Sequence, residues 1–203
     1  MPKVTENYRR KKQIEIAQAS KSVFEMKGYI NTSVKDIMLA ANIARGTLYS
    51  YFNNVEQVFL EVLTLMDNQA FSNVEEDRNI TFVAQLDNWI NKEVLGLLRQ
   101  PSLVQARAEY FFSLEDTTFF EERHNGFIEG LTAFLEKGVE SGEFSPKRNV
   151  RSIARYMLSF IDGLMINTSQ LGETSNSVLD QLDIFHTSIY YLLGLDMNQN
   201  NRV

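Results

Sequence analysis

The stretch Thr32–Phe52, TSVKDIMLAANIARGTLYSYF, decides the fold. Ser33 followed three residues later by Asp36 has the spacing of a capping box, in which the serine accepts from the free N–H groups of a new helix. The helix predicted over 34–41 is only two turns long and turns Val34, Ile37, Met38 and Ala41 inward. Asn42 then stands where the chain must bend through a left-handed residue, which Asn tolerates better than most side chains. Ile43 closes over the core. A second short helix starts near Arg45, with Leu48 and Phe52 one turn apart on its inner face. Two short helices about a tight turn make a helix-turn-helix, whose second helix can enter the major groove of DNA. Arg45, Thr47, Tyr49 and Ser50 are left outward. Arg45 can fork onto guanine O6 and N7 or grip a phosphate, and the hydroxyls of Thr47, Tyr49, Ser50 and Tyr51 can bond phosphate. A helical hairpin inside an ordinary bundle, with the tyrosines as packing residues, satisfies the same spacing.

Outward from this stretch, apolar residues recur at three- and four-residue spacing and no β-branched alternation is long enough for a strand. The fold class is therefore all-α. A first helix over about 8–27 stops at Gly28 and buries Ile16, Ala19, Val23 and Phe24, with Ser20 beside them. Further helices are predicted over about 55–72, 80–99, 101–114, 117–140, 149–171 and 176–194, about nine in all. Pro101 suits a first helical turn, and Ser141-Gly142-Glu143-Phe144-Ser145-Pro146 stops the helix before it. Two domains follow: 1–53, a three-helix head with the helix-turn-helix, and 54–203, a helical body.

Charge divides along the same line. The 203 residues carry a net charge of −6, which by itself argues against a nucleic-acid partner. Yet residues 1–53 hold nine Lys/Arg against four Asp/Glu, leaving +5, and residues 54–203 hold eleven against twenty-two, leaving −11. A basic head on an acidic body is the asymmetry expected of a nucleic-acid contact. Cysteine is absent, which excludes disulfides, thiolate zinc sites and cysteine nucleophiles, and two histidines leave little for metal chemistry. No phosphate-binding glycine loop, G-x-S-x-G elbow or HExxH occurs, and Glu121–Glu122 read as solvated charge, so neither an enzyme nor a cofactor or metal is expected. The start MPKVTENYRRKK lacks the apolar stretch of a secretory signal, and the near-apolar run Tyr156–Ile166 has only eleven residues, with Asp162 among them. A cytoplasmic protein without a membrane segment is the expectation.

From Ile16 to Leu63 the chain resembles the DNA-binding region of TetR-family transcriptional repressors. The matching residues are Ile16, Ala19, Phe24, Lys27-Gly28-Tyr29, Thr32-Ser33-Val34, Asp36-Ile37, Ala41, Gly46-Thr47-Leu48-Tyr49, Tyr51-Phe52, Glu56 and Phe59. Ser141-Gly142-Glu143-Phe144 and Ile161-Asp162-Gly163-Leu164 look like family features too. The resemblance implies that Lys35 reaches a base or a phosphate, that Ser33, Thr47, Tyr49 and Tyr51 bond phosphate, and that Arg45 and Gly46 open the recognition helix with Ser50 beside them. Arg9, Arg10, Lys11 and Lys12 would form a basic arm along the backbone or in the minor groove. Four positions depart from the family pattern. Asn42 replaces the turn glycine, Ala44 a capping serine or threonine, Met38 a small alanine, and Val55 a phosphate-bonding lysine.

A helix-turn-helix of this size reads a half-site, so a homodimer on a palindromic double-stranded operator is expected. The last two helices are the natural interface. Val178, Leu182, Phe185, Ile189 and Leu193 form one stripe, and Leu179, Tyr190 and Leu192 widen it. The resemblance also implies an effector pocket for a small, apolar or aromatic molecule that releases the repressor from DNA. Trp89, Tyr110, Phe120, His124 and Phe127 are its candidate lining, although aromatic residues at helical spacing are also plain core. The alternative is a ligand-binding or scaffolding dimer that has lost DNA binding.

Overall fold

Helical periodicity and capping residues lay out nine α-helices and no strand among the described residues. The computed structural model describes residues 6–75, 80–98, 103–113, 118–171 and 174–195, without the side chains of 67–75, 119, 120 and 170. The helices are α1 (Glu6–Lys27), α2 (Val34–Ala41), α3 (Arg45–Tyr51), α4 (Val55–Glu75), α5 (Phe82–Leu97), α6 (Val104–Ser113), α7 (Thr118–Glu140), α8 (Val150–Gln170) and α9 (Ser175–Leu193). Most ends fall within two residues of the boundaries expected from sequence. Pro101 lies outside the described residues. No described helix is long and apolar enough to cross a membrane.

By packing, the chain forms two compact units. The first comprises Met1–Asn73 together with Gln100–Ser113, and the second Val74–Arg99 with Leu114–Val203. The first unit therefore takes in most of α4 and all of α6, beyond the residue-53 boundary expected for the head. The reason is an aromatic quartet, three of its rings buried and Tyr29 half-buried. Phe24, Tyr29, Phe59 and Tyr110 meet with ring centroids 4.8–5.3 Å apart, in the tilted and edge-on geometries that aromatic quadrupoles favour. Burial raises the Tyr29 phenol above its ordinary pKa, with the Glu56 carboxylate adding to the shift. The Tyr110 hydroxyl donates to Glu56 Oε1 at 2.8 Å, so α6 is tied to α4 as well as to α1. Ile16, Val23 and Phe24 of α1 are buried as expected, while Ala19 is only half-buried and Ala17 takes its place. Ser20 is buried and donates to the Ile16 carbonyl at 2.7 Å, which satisfies its hydroxyl without another helix.

The second unit is a bundle of α5, α7, α8 and α9. Leu86, Trp89, Ile90, Val94 and Leu97 of α5 face its core, and Phe82 meets Phe134 and Phe144 at 5.6 and 6.4 Å. The end of α9 is stitched to the segment before α8 by Ser145 N–H to Leu193 O and Lys147 N–H to Leu192 O, both 2.8 Å. The α9 stripe Val178, Leu182, Phe185, Ile189 and Leu193 is buried within this unit. Tyr156, Leu179, Ile184 and Tyr191 are the large apolar residues left exposed on α8 and α9.

Candidate nucleic-acid interface

The turn of the helix-turn-helix has the expected conformation. Asn42 adopts φ 50° and ψ 51°, a left-handed residue that ends α2. Ser33 and Asp36 form a full capping box. Asp36 N–H donates to Ser33 Oγ at 3.3 Å, and Ser33 N–H and Oγ donate to Asp36 Oδ2 at 3.0 and 2.7 Å. Lys27 Nζ bonds Asp36 Oδ1 at 2.6 Å. With the Ser33 bonds it holds the Asp36 carboxyl well below the usual carboxylate range. Ala44 supplies no side-chain cap to α3.

Helix α3 buries Leu48, with Phe52 buried just beyond it, and exposes Arg45, Gly46, Thr47, Tyr49 and Ser50. Lys35 and Ser33 are exposed on the same helix-turn-helix, and Tyr51 is half-buried. The Arg45 guanidinium lies 5.6 Å from the Tyr49 ring centroid, which pre-orders an arginine otherwise free to swing. Ser50 Oγ donates to the Thr47 carbonyl at 2.7 Å, so in this rotamer it offers a phosphate no proton.

Three of the four basic residues of the expected arm have separate partners. Arg10 Nη1 pairs with Glu61 Oε2 at 2.6 Å, which turns it towards α4. Arg9 stacks over the Tyr51 ring at 5.8 Å. Lys12 pairs with Glu15 at 2.5 Å. Tyr8, Lys12, Thr47 and Tyr51 also line a notch of about 160 Å³ between α1 and the helix-turn-helix, floored by Ile16, Ala41 and Ile43. Tyr8 was not anticipated. Its i, i+4 spacing to Lys12 puts both on one face of α1 and was the available signal.

The five residues expected to line an effector pocket have different surroundings. Tyr110 has its ring in the quartet of the first unit, its hydroxyl donating to Glu56. Trp89 is buried in the second unit. His124 has a side chain 42% exposed, with Nδ1 3.7 Å from Asp162 Oδ2. Phe127 is half-buried, with the Arg123 guanidinium 4.8 Å from its ring centroid. The side chain of Phe120 lies outside the described residues. Among the described residues, no group of three or more His, Asp or Glu could hold a metal ion.

Residues 16–62 match the model of bacterial regulatory proteins of the tetR family, and residues 85–179 match that of the tetracyclin repressor-like C-terminal domain. An uncharacterized HTH-type transcriptional regulator, YfiR, from Bacillus subtilis (strain 168) is 28% identical over 183 residues, covering 87% of this chain and 89% of that protein. The fatty acid metabolism regulator protein of the same organism is 27% identical over 190 residues, covering 86% and 95%. Among solved structures, the transcriptional regulator FadR from Bacillus subtilis in complex with stearoyl-CoA superposes with a TM-score of 0.68 at 20% identity, over 90% of this chain and 99% of that one. The all-helical fold of the described residues, both family models and these relatives agree: the chain belongs to the TetR family of transcriptional regulators.

Proposed function

We propose that the protein is a homodimeric repressor which a small-molecule ligand releases from a two-fold operator. The observation that carries this is α3, which buries Leu48 and presents Arg45, Thr47 and Tyr49 outward behind a correctly formed turn. In this reading Arg45 and Lys35 contact bases or phosphates, Thr47, Tyr49 and Tyr51 donate to phosphates, and Gly46 lets the backbone approach closely. Ser33 and Ser50 join them once their hydroxyls rotate out of their local bonds. Two heads about 34–36 Å apart would read the half-sites. The exposed Tyr156, Leu179, Ile184 and Tyr191 support pairing through α8 and α9, since apolar residues there exceed what one core uses.

The names of the relatives make a long-chain acyl-CoA the first ligand to assay. A hundredfold release from DNA needs about 2.8 kcal/mol of preference for the DNA-free form. The role is regulatory rather than catalytic and belongs in the cytoplasm, with the DNA. Footprinting of the DNA flanking its own gene tests the proposal. Protection of a two-fold site that weakens steeply with salt is expected. No protection at any salt by an intact dimer would leave a ligand-binding dimer without DNA binding.

A further inference from the structure

Glu109 lies in α6, 79 residues along the chain from the turn it touches. Its Oε2 accepts the Ile30 N–H at 3.0 Å, and Gln105 Nε2 donates to its Oε1 at 2.7 Å. The carboxylate occupies the space that a Cβ on residue 28 would need, and Gly28 itself has φ +76°. Glycine at 28 thus serves twice, once for the left-handed end of α1 and once for the seat of Glu109.

The seated turn leads directly into the helix-turn-helix. Gly28 N–H bonds Phe24 O at 2.9 Å, Thr32 Oγ1 bonds Gly28 O at 2.6 Å, and the next residue is Ser33, the N-cap of α2. The angle between α1 and α2 is set within these few residues, and Glu109 braces them from a distant helix. The Ile30 bond is exposed. Water can replace the carboxylate there, so the bond contributes to geometry more than to net stability. Recognition needs that geometry, because binding groups must be held to within about 0.5 Å.

We propose that Glu109 is a positioning residue for operator binding: α6 supplies a carboxylate that fixes the Gly28–Ser33 turn and hence the presentation of α2 and α3. The inference rests on the DNA-binding reading above. Glu109→Gln keeps the acceptor and removes the charge, whereas Glu109→Ala removes both. Full-length variants are titrated by fluorescence anisotropy against the footprinted duplex, with thermal melting and amide exchange at Ile30 measured in parallel. Glu109→Ala should bind on the order of tenfold more weakly at an unchanged melting temperature, with faster exchange at Ile30. Glu109→Gln should stay within about threefold of wild type and retain the protection, Gln105 turning its amide to match. Wild-type affinity in Glu109→Ala overturns the inference. So does tighter binding by both variants, which would mean the charge alone matters, or a loss that only follows unfolding. If the wild type protects no DNA, the regulator reading fails first and this role fails with it.

Discussion

Helices α3 and α6 belong to the same compact unit and are both short, seven and ten residues, yet they relate to their surroundings in opposite ways. Helix α3 buries Leu48 and exposes Arg45, Gly46, Thr47, Tyr49 and Ser50. Helix α6 buries Val104, Ala106, Ala108 and Tyr110, with the Tyr110 hydroxyl donating to Glu56 and the Glu109 carboxylate accepting the Ile30 N–H. One helix is for display and the other for support. A surface that must meet a polyanion cannot also be a large apolar anchor, so its rigidity has to come from elsewhere. Within the same unit, the aromatic quartet formed by α1, the Tyr29 turn, α4 and α6 supplies that buried packing.

The contrast can be broken most severely at the shared core. Phe59→Ala should cost about 3–5 kcal/mol in chemical denaturation, because it empties the centre of the quartet. A loss under about 1 kcal/mol would show that α6 is held by something other than these rings. Next in size, Arg45→Ala should weaken operator binding by about 1–3 kcal/mol in titrations while leaving the melting temperature unchanged. If both fall together, α3 is structural after all. A smaller effect of opposite sign is expected from Ala44→Ser. Residue 44 already has the extended backbone of a cap, φ −74° and ψ 155°, but no side-chain acceptor. The serine should add about 1 kcal/mol, seen as a higher melting temperature.

The gentlest test uses pH. The folded protein holds the Asp36 carboxyl below its unfolded value, through Lys27 first and Ser33 second. Its stabilising contribution is therefore complete above about pH 4, the range of a free aspartate, and is lost as pH falls below that. Asp36→Asn should flatten this acid-side slope in melts between about pH 5 and 2. An unchanged slope would assign the acid sensitivity to other carboxylates.

Much of the head was legible because its determinants are local. Ser33 and Asp36 are three residues apart, Asn42 must itself be left-handed, and Leu48 and Phe52 are one turn apart. Each constraint acts within a helical turn, where spacing translates directly into contact. The destinations of Arg10 and Tyr110 were not legible in this way. Arg10 reads as part of a basic arm until Glu61, 51 residues on, takes it up. Tyr110 reads as a body aromatic until Glu56, 54 residues before it, takes its hydroxyl. Periodicity identifies a buried face but not the neighbour that buries it.

The chain's own order of residues was enough to specify its helices, the turn between α2 and α3, and the outward set on α3, because hydrogen bonds and side-chain spacing over three or four residues specify these. It also divided the charge into a basic head and an acidic body. Only packing decided that α6 joins the head, that Arg10 faces α4, and that Glu109 sits against Gly28. Those contacts close loops of fifty to eighty residues. They become favourable only after the aromatic core has brought the helices together.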